Sequence, residues 1–378
     1  MDFKLTYSTM FEPPESLHQA FEAALDRRRG TAPQEHDLYI DGANRQAAGR
    51  DKFSPIDKSL RLGRFAEAGA VEVNLAVAAA RRAFPAWRRL PVRERNAIMR
   101  RVAALISTRV CDISAAVALE VGKNRMEALG EVQETADFFT LYSDDFERQG
   151  FDHALPDDPV KGFRSRNRSV MRPYGPWAVI APFNFPFALA GGPVAAALVT
   201  GNTVVLKGAT DTPWSGRLLA DCLHDAGVPA GVFNYINGSG SVAGAALVQH
   251  PDIAGITFTG SHQVGMGIAR HMIAGAVPRP CVAEMGGKNA TIVTANADLK
   301  RAATGIVRSA FGMGGQKCSA LSRIYVDSAV AEPLIGAITE QMRAISIGDP
   351  TLRQNWLGPV INDGAQESFR RYSAALAA

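Results

Sequence analysis

The chain has 378 residues, 47% of them hydrophobic and 21% charged, which is enough apolar material to bury a sizeable core across two domains. Its 41 Lys and Arg against 37 Asp and Glu leave a net charge of +4, too small and too dispersed to indicate a nucleic-acid partner. The four cysteines form no CxxC pair, which excludes a disulfide-dense secreted scaffold and suits free thiols in a reducing cytoplasm.

At the N-terminus, MDFKLTYSTMF carries Asp2 and Lys4 and no apolar core, so no secretory signal is visible. Residues 1–36 read as an N-terminal helical arm (SLHQAFEAALDRRRG) ending at Gly30, and LYIDGANR as a short hairpin around Asp41 and Gly42. From Glu72 the apolar residues Val73, Val77, Ala80 and Phe84, and after Pro91 Ile98, Val102, Leu105 and Ile106, recur at helical spacing. This third of the chain is expected to form a helical layer. RSRNRSVMR then places Arg164, Arg166, Arg168 and Arg172 on one solvated strand face, with an anion site as the alternative. The uncharged stretch from Pro173 to Leu206 is interrupted by Pro176, Pro182, Pro186 and Pro193, so a buried strand, turn, helix and strand is expected instead of a membrane span.

After Arg172, the strand-like runs WAVIA, TVVLKG, VFNYIN, GITFTG and KNATIV alternate with helical ones such as WSGRLLADCLHDAG and QVGMGIARHM. That alternation predicts an α/β fold with a Rossmann-type parallel sheet, whose ligands bind in the loops at the carboxyl ends of its strands. The loop after WAVIA, PFNFPF, sets Asn184 between phenylalanines, either as a helix cap or as a hydrogen-bond donor to a reacting group. Lys207 ends the next strand, where it reaches a ribose or phosphate or simply solubilises the surface. GSGSVA from Gly238 matches G-x-G-x-x-A, and GSHQVG from Gly260 puts Ser261 at a helix start that suits phosphate. Each also reads as an ordinary tight turn. In AEMGGKNA, Glu284 stands beside Met285 and Cys281, neighbours that would raise a carboxyl's pKa and suit its carboxylate to general-base work, or it is a plain surface or helix-capping glutamate. FGMGGQKCSA places Cys318 behind three glycines that bare backbone amides around a thiol, whereas Cys111 and Cys222 read as small buried hydrophobes.

Together PFNFP, VVLKGA, FTGSHQVG, EMGGKNA and GGQKCSA resemble the aldehyde dehydrogenase superfamily, from about Leu38 to the end. RSAFGMGGQKCSALSR, AEMGGKN and KGATDT are most similar to its 1-pyrroline-5-carboxylate (glutamate semialdehyde) dehydrogenase branch. The resemblance implies Cys318 as the nucleophile, Asn184 and the Cys318 amide as oxyanion donors, and Glu284 as the base that activates water. It implies NAD, with NADP possible, along Ile180, Pro182, Phe183, Asn184, Lys207, Thr210, Gly240, Phe258, Gly260, Ser261, Val264 and Gly286, and it implies no metal. Phe183 stands where many relatives have tryptophan, Gly208 where they have proline, and Thr210 where NAD-preferring relatives have glutamate.

On the same basis, residues 37–281 are expected to form the NAD-binding domain, with 150–172 as a β-arm for oligomerisation, and 282–378 a partial α/β catalytic domain. Relatives continue through an E-x-F-G-P motif and a C-terminal assembly strand, so the chain reads as C-terminally truncated. The expected function is oxidation of glutamate semialdehyde to glutamate in proline degradation, in a cytoplasmic homo-oligomer without membrane or nucleic-acid partners. The alternatives are a catalytically silent nucleotide-binding or subunit-interaction module, and a thioester-forming acyltransferase, against which Glu284 argues.

Overall fold

The computed structural model describes residues 5, 6, 9, 12–162 and 164–377, so the reading of Asp2 and Lys4 lies outside the described residues. Helix α1 (Glu15–Gly30) does not stand off as an appended arm. Its Leu17, Phe21, Ala24 and Leu25 are buried in the main core, and Arg29–Asp349, Arg353–Glu15 and Arg353–Glu22 ion pairs tie it to a late segment of the chain. Strand β1 (Gln34–His36) is followed by the hairpin β2 (Leu38–Ile40) and β3 (Ala43–Arg45), then by β4 (Gly49–Phe53) and β5 (Arg61–Ala66). Asp41 and Gly42 both adopt positive φ, 56° and 79°, as a two-residue hairpin turn requires. Strands β1, β5 and β4 form a small separate sheet.

The helical layer comprises α2 (Ala70–Trp87), α3 (Val92–Thr108), α4 (Val110–Val121) and α5 (Arg125–Gln149). Val73, Val77, Ala80, Val102 and Ile106 are fully buried, as their spacing predicts, while Phe84 and Leu105 are half-buried. Asn124 starts α5 by accepting from the Glu127 N–H at 2.9 Å. Strands β6 (Asp152–Ala154) and β7 (Arg168–Val170) then pair as an exposed arm, joined by an Arg168–Asp152 ion pair. Only the middle of RSRNRSVMR is strand.

The central sheet is built next. The uncharged stretch folds as β8 (Pro176–Ile180), a loop, α6 (Ala188–Val199) and β9 (Thr203–Lys207), followed by α7 (Pro213–Asp225) and β10 (Phe233–Ile236). A π-helical turn over Gly240–Gly244 leads into α8 (Ala245–Gln249), then come β11 (Gly255–Thr259), α9 (His262–Ile273) and β12 (Cys281–Glu284). The strand order is β12-β11-β8-β9-β10-β2-β3, in which β8 to β12 pair in parallel and the hairpin closes one edge antiparallel. Val179, Val204 and Leu206 face one core, and Ala178, Ile180 and Val205 the other. The sheet is therefore apolar on both faces, which is why these strands are near-continuous hydrophobic runs.

One assignment changes. KNATIV does not extend this sheet: β13 (Asn289–Val293) pairs in parallel with β14 (Leu321–Val326) in a sheet of its own, with α10 (Leu299–Phe311) between them in sequence. The fifth parallel strand is CVAE, whose alternating burial on a sheet edge left no apolar run to see. Helices α11 (Ala331–Arg343) and α12 (Asp363–Ala377) follow. Among the described residues, no single helix is long and apolar enough to cross a membrane.

Candidate active site

Three loops converge on Cys318. The first is its own. Helix α10 ends at Phe311, and the chain turns through Met313, Gly314 and Gly315, all at positive φ (54°, 65° and 77°). Gly312 serves space instead of turning: a Cβ there would lie 2.9 Å from Lys317 Nζ and 3.1 Å from Glu127 Oε1, groups that form a 2.5 Å ion pair. The glycines therefore both make the turn and clear room beside it, and Cys318 emerges exposed. Its carbonyl accepts from Asn289 Nδ2 at 2.9 Å, which ties the loop to β13.

The second loop follows β8. Asn184 Nδ2 donates to the Gln316 carbonyl at 2.9 Å, and Asn184 Oδ1 accepts from the Phe185 N–H at 3.1 Å. An amide nitrogen carries two protons, so this geometry commits one to the cysteine loop and leaves a second donor. Asn184 is thus not the cap of α6. The third loop follows β12. Glu284 ends that strand, and a Cβ on Gly287 would sit 2.7 Å from the Cys318 carbonyl oxygen, an approach only glycine permits. Glu284 is exposed, and strand alternation puts it on the face opposite Cys281, so the apolar enclosure expected from Cys281 and Met285 is not formed. Instead Glu284 borders an open cavity of about 1330 Å³ that also touches Phe138, Tyr142, Trp177 and Leu189. Neither Cys318 nor Asn184 lines that cavity.

The expected nucleotide positions lie along the carboxyl ends of the same strands. Lys207, ending β9, is 4% exposed and donates to the neighbouring Gly208 carbonyl at 2.7 Å. Burial pushes its ammonium down to about 8. An ammonium has three donors, and a buried one with a single protein acceptor suits ligand hydroxyls. Thr210 Oγ1 donates to Gly238 O at 3.2 Å, bracing the loop after Lys207 against GSGSVA. Ser239 caps the turn that Gly240 starts, accepting from the Val242 N–H at 3.2 Å. Ser261 caps α9, accepting from the Val264 N–H at 3.4 Å, so both glycine loops present helix starts. Phe258 and Ile180 are buried sheet residues, Pro182, Phe183 and Gly260 half-buried, and Gly240, Ser261, Val264 and Gly286 exposed.

Of the other cysteines, Cys222 is buried and its thiol pushed up to about 11, so it is an inert hydrophobe, while Cys111 is half-buried. Gln316, Asn289, Gly287, Glu127 and Glu131 escaped the sequence reading. Their partners lie on distant segments, and only the Gly-Gly pair of AEMGGKNA hinted at a close approach.

The aldehyde dehydrogenase family model matches residues 43–377. The chain is 38% identical over 365 residues to the 1-pyrroline-5-carboxylate dehydrogenase of Geobacillus thermodenitrificans (strain NG80-2), covering 95% of this chain and 70% of that protein. To 1-pyrroline-5-carboxylate dehydrogenase 2 of Bacillus subtilis (strain 168) it is 35% identical over 360 residues, 94% of this chain and 69% of that one. The crystal structure of 1-pyrroline-5-carboxylate dehydrogenase from Thermus with bound NAD superposes with a TM-score of 0.90 at 33% identity, over 98% of this chain and 72% of that one. The strand order, the convergent loops and these matches agree: the chain belongs to the aldehyde dehydrogenase family.

Proposed function

We propose that the chain oxidises L-glutamate γ-semialdehyde, the open form of 1-pyrroline-5-carboxylate, to glutamate with NAD. The observation that carries this reading is the 2.9 Å bond from Asn184 to the Gln316 carbonyl, which ties an amide donor to the loop that bears an exposed thiol. The relatives' shared activity supplies the substrate.

Cys318 Sγ attacks the aldehyde carbon and forms a C–S bond. The oxygen becomes an oxyanion that the second Asn184 N–H and the Cys318 amide N–H hold, each such donor lowering the barrier by about 3 to 4 kcal/mol. Bound NAD supplies the hydride acceptor, which leaves a thioester on Cys318. Glu284 takes a proton from water as that water attacks the thioester. The C–S bond then breaks, and glutamate leaves from a regenerated thiolate. Lys207 would hold the ribose of bound NAD, Gly240 would face its adenine side, and Ser261 would hold its pyrophosphate. Ile180, Pro182, Phe183, Phe258, Gly260, Val264 and Gly286 wall the cleft, while Thr210, carrying no charge, leaves NADP as a second acceptor.

The expected boundary after residue 281 falls inside β12, so we further assign 37–284 to cofactor binding, 285–378 to catalysis, and the 150–172 arm to self-assembly. The test follows NADH absorbance with NAD and semialdehyde. Turnover that Cys318→Ala abolishes, with NAD affinity kept, supports the reading. A folded chain that binds NAD but gives no NADH supports the silent nucleotide-binding module instead.

A further inference from the structure

The PFNFPF loop lacks what normally starts a helix. Helix α6 begins after Phe187, which has no side-chain oxygen to receive the free N–H groups of its first turn. Those groups are met from another element: Glu131 Oε1, on α5, accepts from the Phe187 and Ala188 N–H groups at 2.8 and 3.2 Å. Glu131 is fully buried, as is its counter-ion Lys123, whose Nζ donates to Oε2 at 2.5 Å. The same Nζ stands 3.6 Å from the centroid of the Phe185 ring. The pair therefore grips both residues that flank Pro186, and Phe185 in turn donates its N–H to Asn184 Oδ1 at 3.1 Å.

A buried ion pair is a poor device for stability, because desolvation offsets its attraction. This one has a more specific use. We propose that Glu131, charge-balanced by Lys123, is a positioning residue for Asn184: by anchoring the first turn of α6 it sets where the Asn184 amide stands relative to Cys318. The inference rests on the reading of Asn184 as an oxyanion donor, but Glu131 itself touches no reacting atom.

The test uses an activated ester, which needs no cofactor. p-Nitrophenyl acetate acylates Cys318: Sγ bonds to the carbonyl carbon through an oxyanion, the C–O bond breaks, and p-nitrophenolate leaves. The rate constant of that burst should fall about 100-fold in Asn184→Ala. In Glu131→Ala it should fall about tenfold, the loss expected of a shifted donor. Glu131→Gln combined with Lys123→Met, in which the amide oxygen still accepts from both N–H groups and no buried ammonium is left unpaired, should stay within about threefold of the parent. Glu131→Ala added to Asn184→Ala should slow it no further, because both changes act through one group.

If Glu131→Ala does not fold, Lys123→Met with Glu131→Met fills the site without an acceptor and should show the same tenfold loss. If neither folds, the pair serves only the fold and the inference is overturned. A Glu131→Ala burst at the parent rate, a Gln variant as slow as Ala, or losses that multiply with Asn184→Ala would each overturn it too. A parent burst no faster than that of Cys318→Ala would overturn the dehydrogenase reading and this inference together.

Discussion

Asn184 is a polar amide in an apolar loop, and its bond to Gln316 gives that amide a direction. Asn184→Ala is expected to lower kcat by about 100- to 1,000-fold while the KM for NAD stays near the parent value. A rate within about threefold of the parent would mean that the amide only braces the loop. Gly287→Ala would place a methyl 2.7 Å from the Cys318 carbonyl oxygen and push the nucleophile's backbone aside. A loss of kcat of about 100-fold with NAD affinity kept is the expected outcome, measured by steady-state kinetics and NAD titration. Glu284→Gln should still form the thioester but hydrolyse it slowly, so rapid mixing should show one equivalent of NADH per active site followed by little turnover. Full turnover in that variant would move the base elsewhere. Cys318, Asn184 and Glu284 could be proposed from the sequence because each sits in a short local motif. Gln316, Asn289 and Glu131 could not, because their roles exist only once segments far apart in sequence meet.

At the scale of elements, the strands and helices of the central parallel sheet were largely readable from their periods, since a sheet buried on both faces writes continuous apolar runs. Strand β12 was not, for it lies on the edge and alternates half-buried with exposed positions. Helix α1 was read as an arm because its charges hide four buried apolar positions, and α5 was not singled out because its buried stripe contains Arg125 and Glu131. The helical layer also sends a second carboxylate into the sheet's crossover helices. Glu120, fully buried on α4, accepts from the Trp214 and Ser215 N–H groups at 2.6 and 2.9 Å and so caps α7. Burial raises its carboxyl to about 7, against hydrogen bonds from Ser215 and Trp214 and the nearby charge of Lys52, all of which pull it down. The folded protein thus holds this proton up to about pH 7, whereas the unfolded chain releases it near 4.5. The stability that comes from this proton is full below the unfolded value and is lost as pH rises through about 7. Thermal unfolding should therefore show the Tm of the parent falling between about pH 5 and pH 8 more steeply than that of Glu120→Gln. Parallel curves would contradict the raised carboxyl.

Across the whole molecule, the loop of Cys318 and the late segment of the chain are fixed by contacts that span the sequence. Lys317 pairs with Glu127 of α5, the Ile361 N–H donates to Gln316 Oε1 at 3.3 Å, and Arg125 donates to the Thr351 carbonyl. Helix α1 fastens the same late segment through Arg29 and Arg353. Phe21→Ala, which empties a fully buried ring site in α1, should cost about 3 to 5 kcal/mol in denaturant unfolding. A cost below about 1 kcal/mol would show α1 to be dispensable for the core. On the proposed reading, Cys318 carries the substrate's carbon while it is oxidised. That reading is tested most directly by mixing the Glu284→Gln protein with NAD and glutamate semialdehyde, quenching in acid and mapping peptides by mass. The expected result is a γ-glutamyl thioester on the peptide bearing Cys318 and only when NAD is present. NADH formed with that cysteine unmodified, or an adduct on Cys111, Cys222 or Cys281, would contradict it.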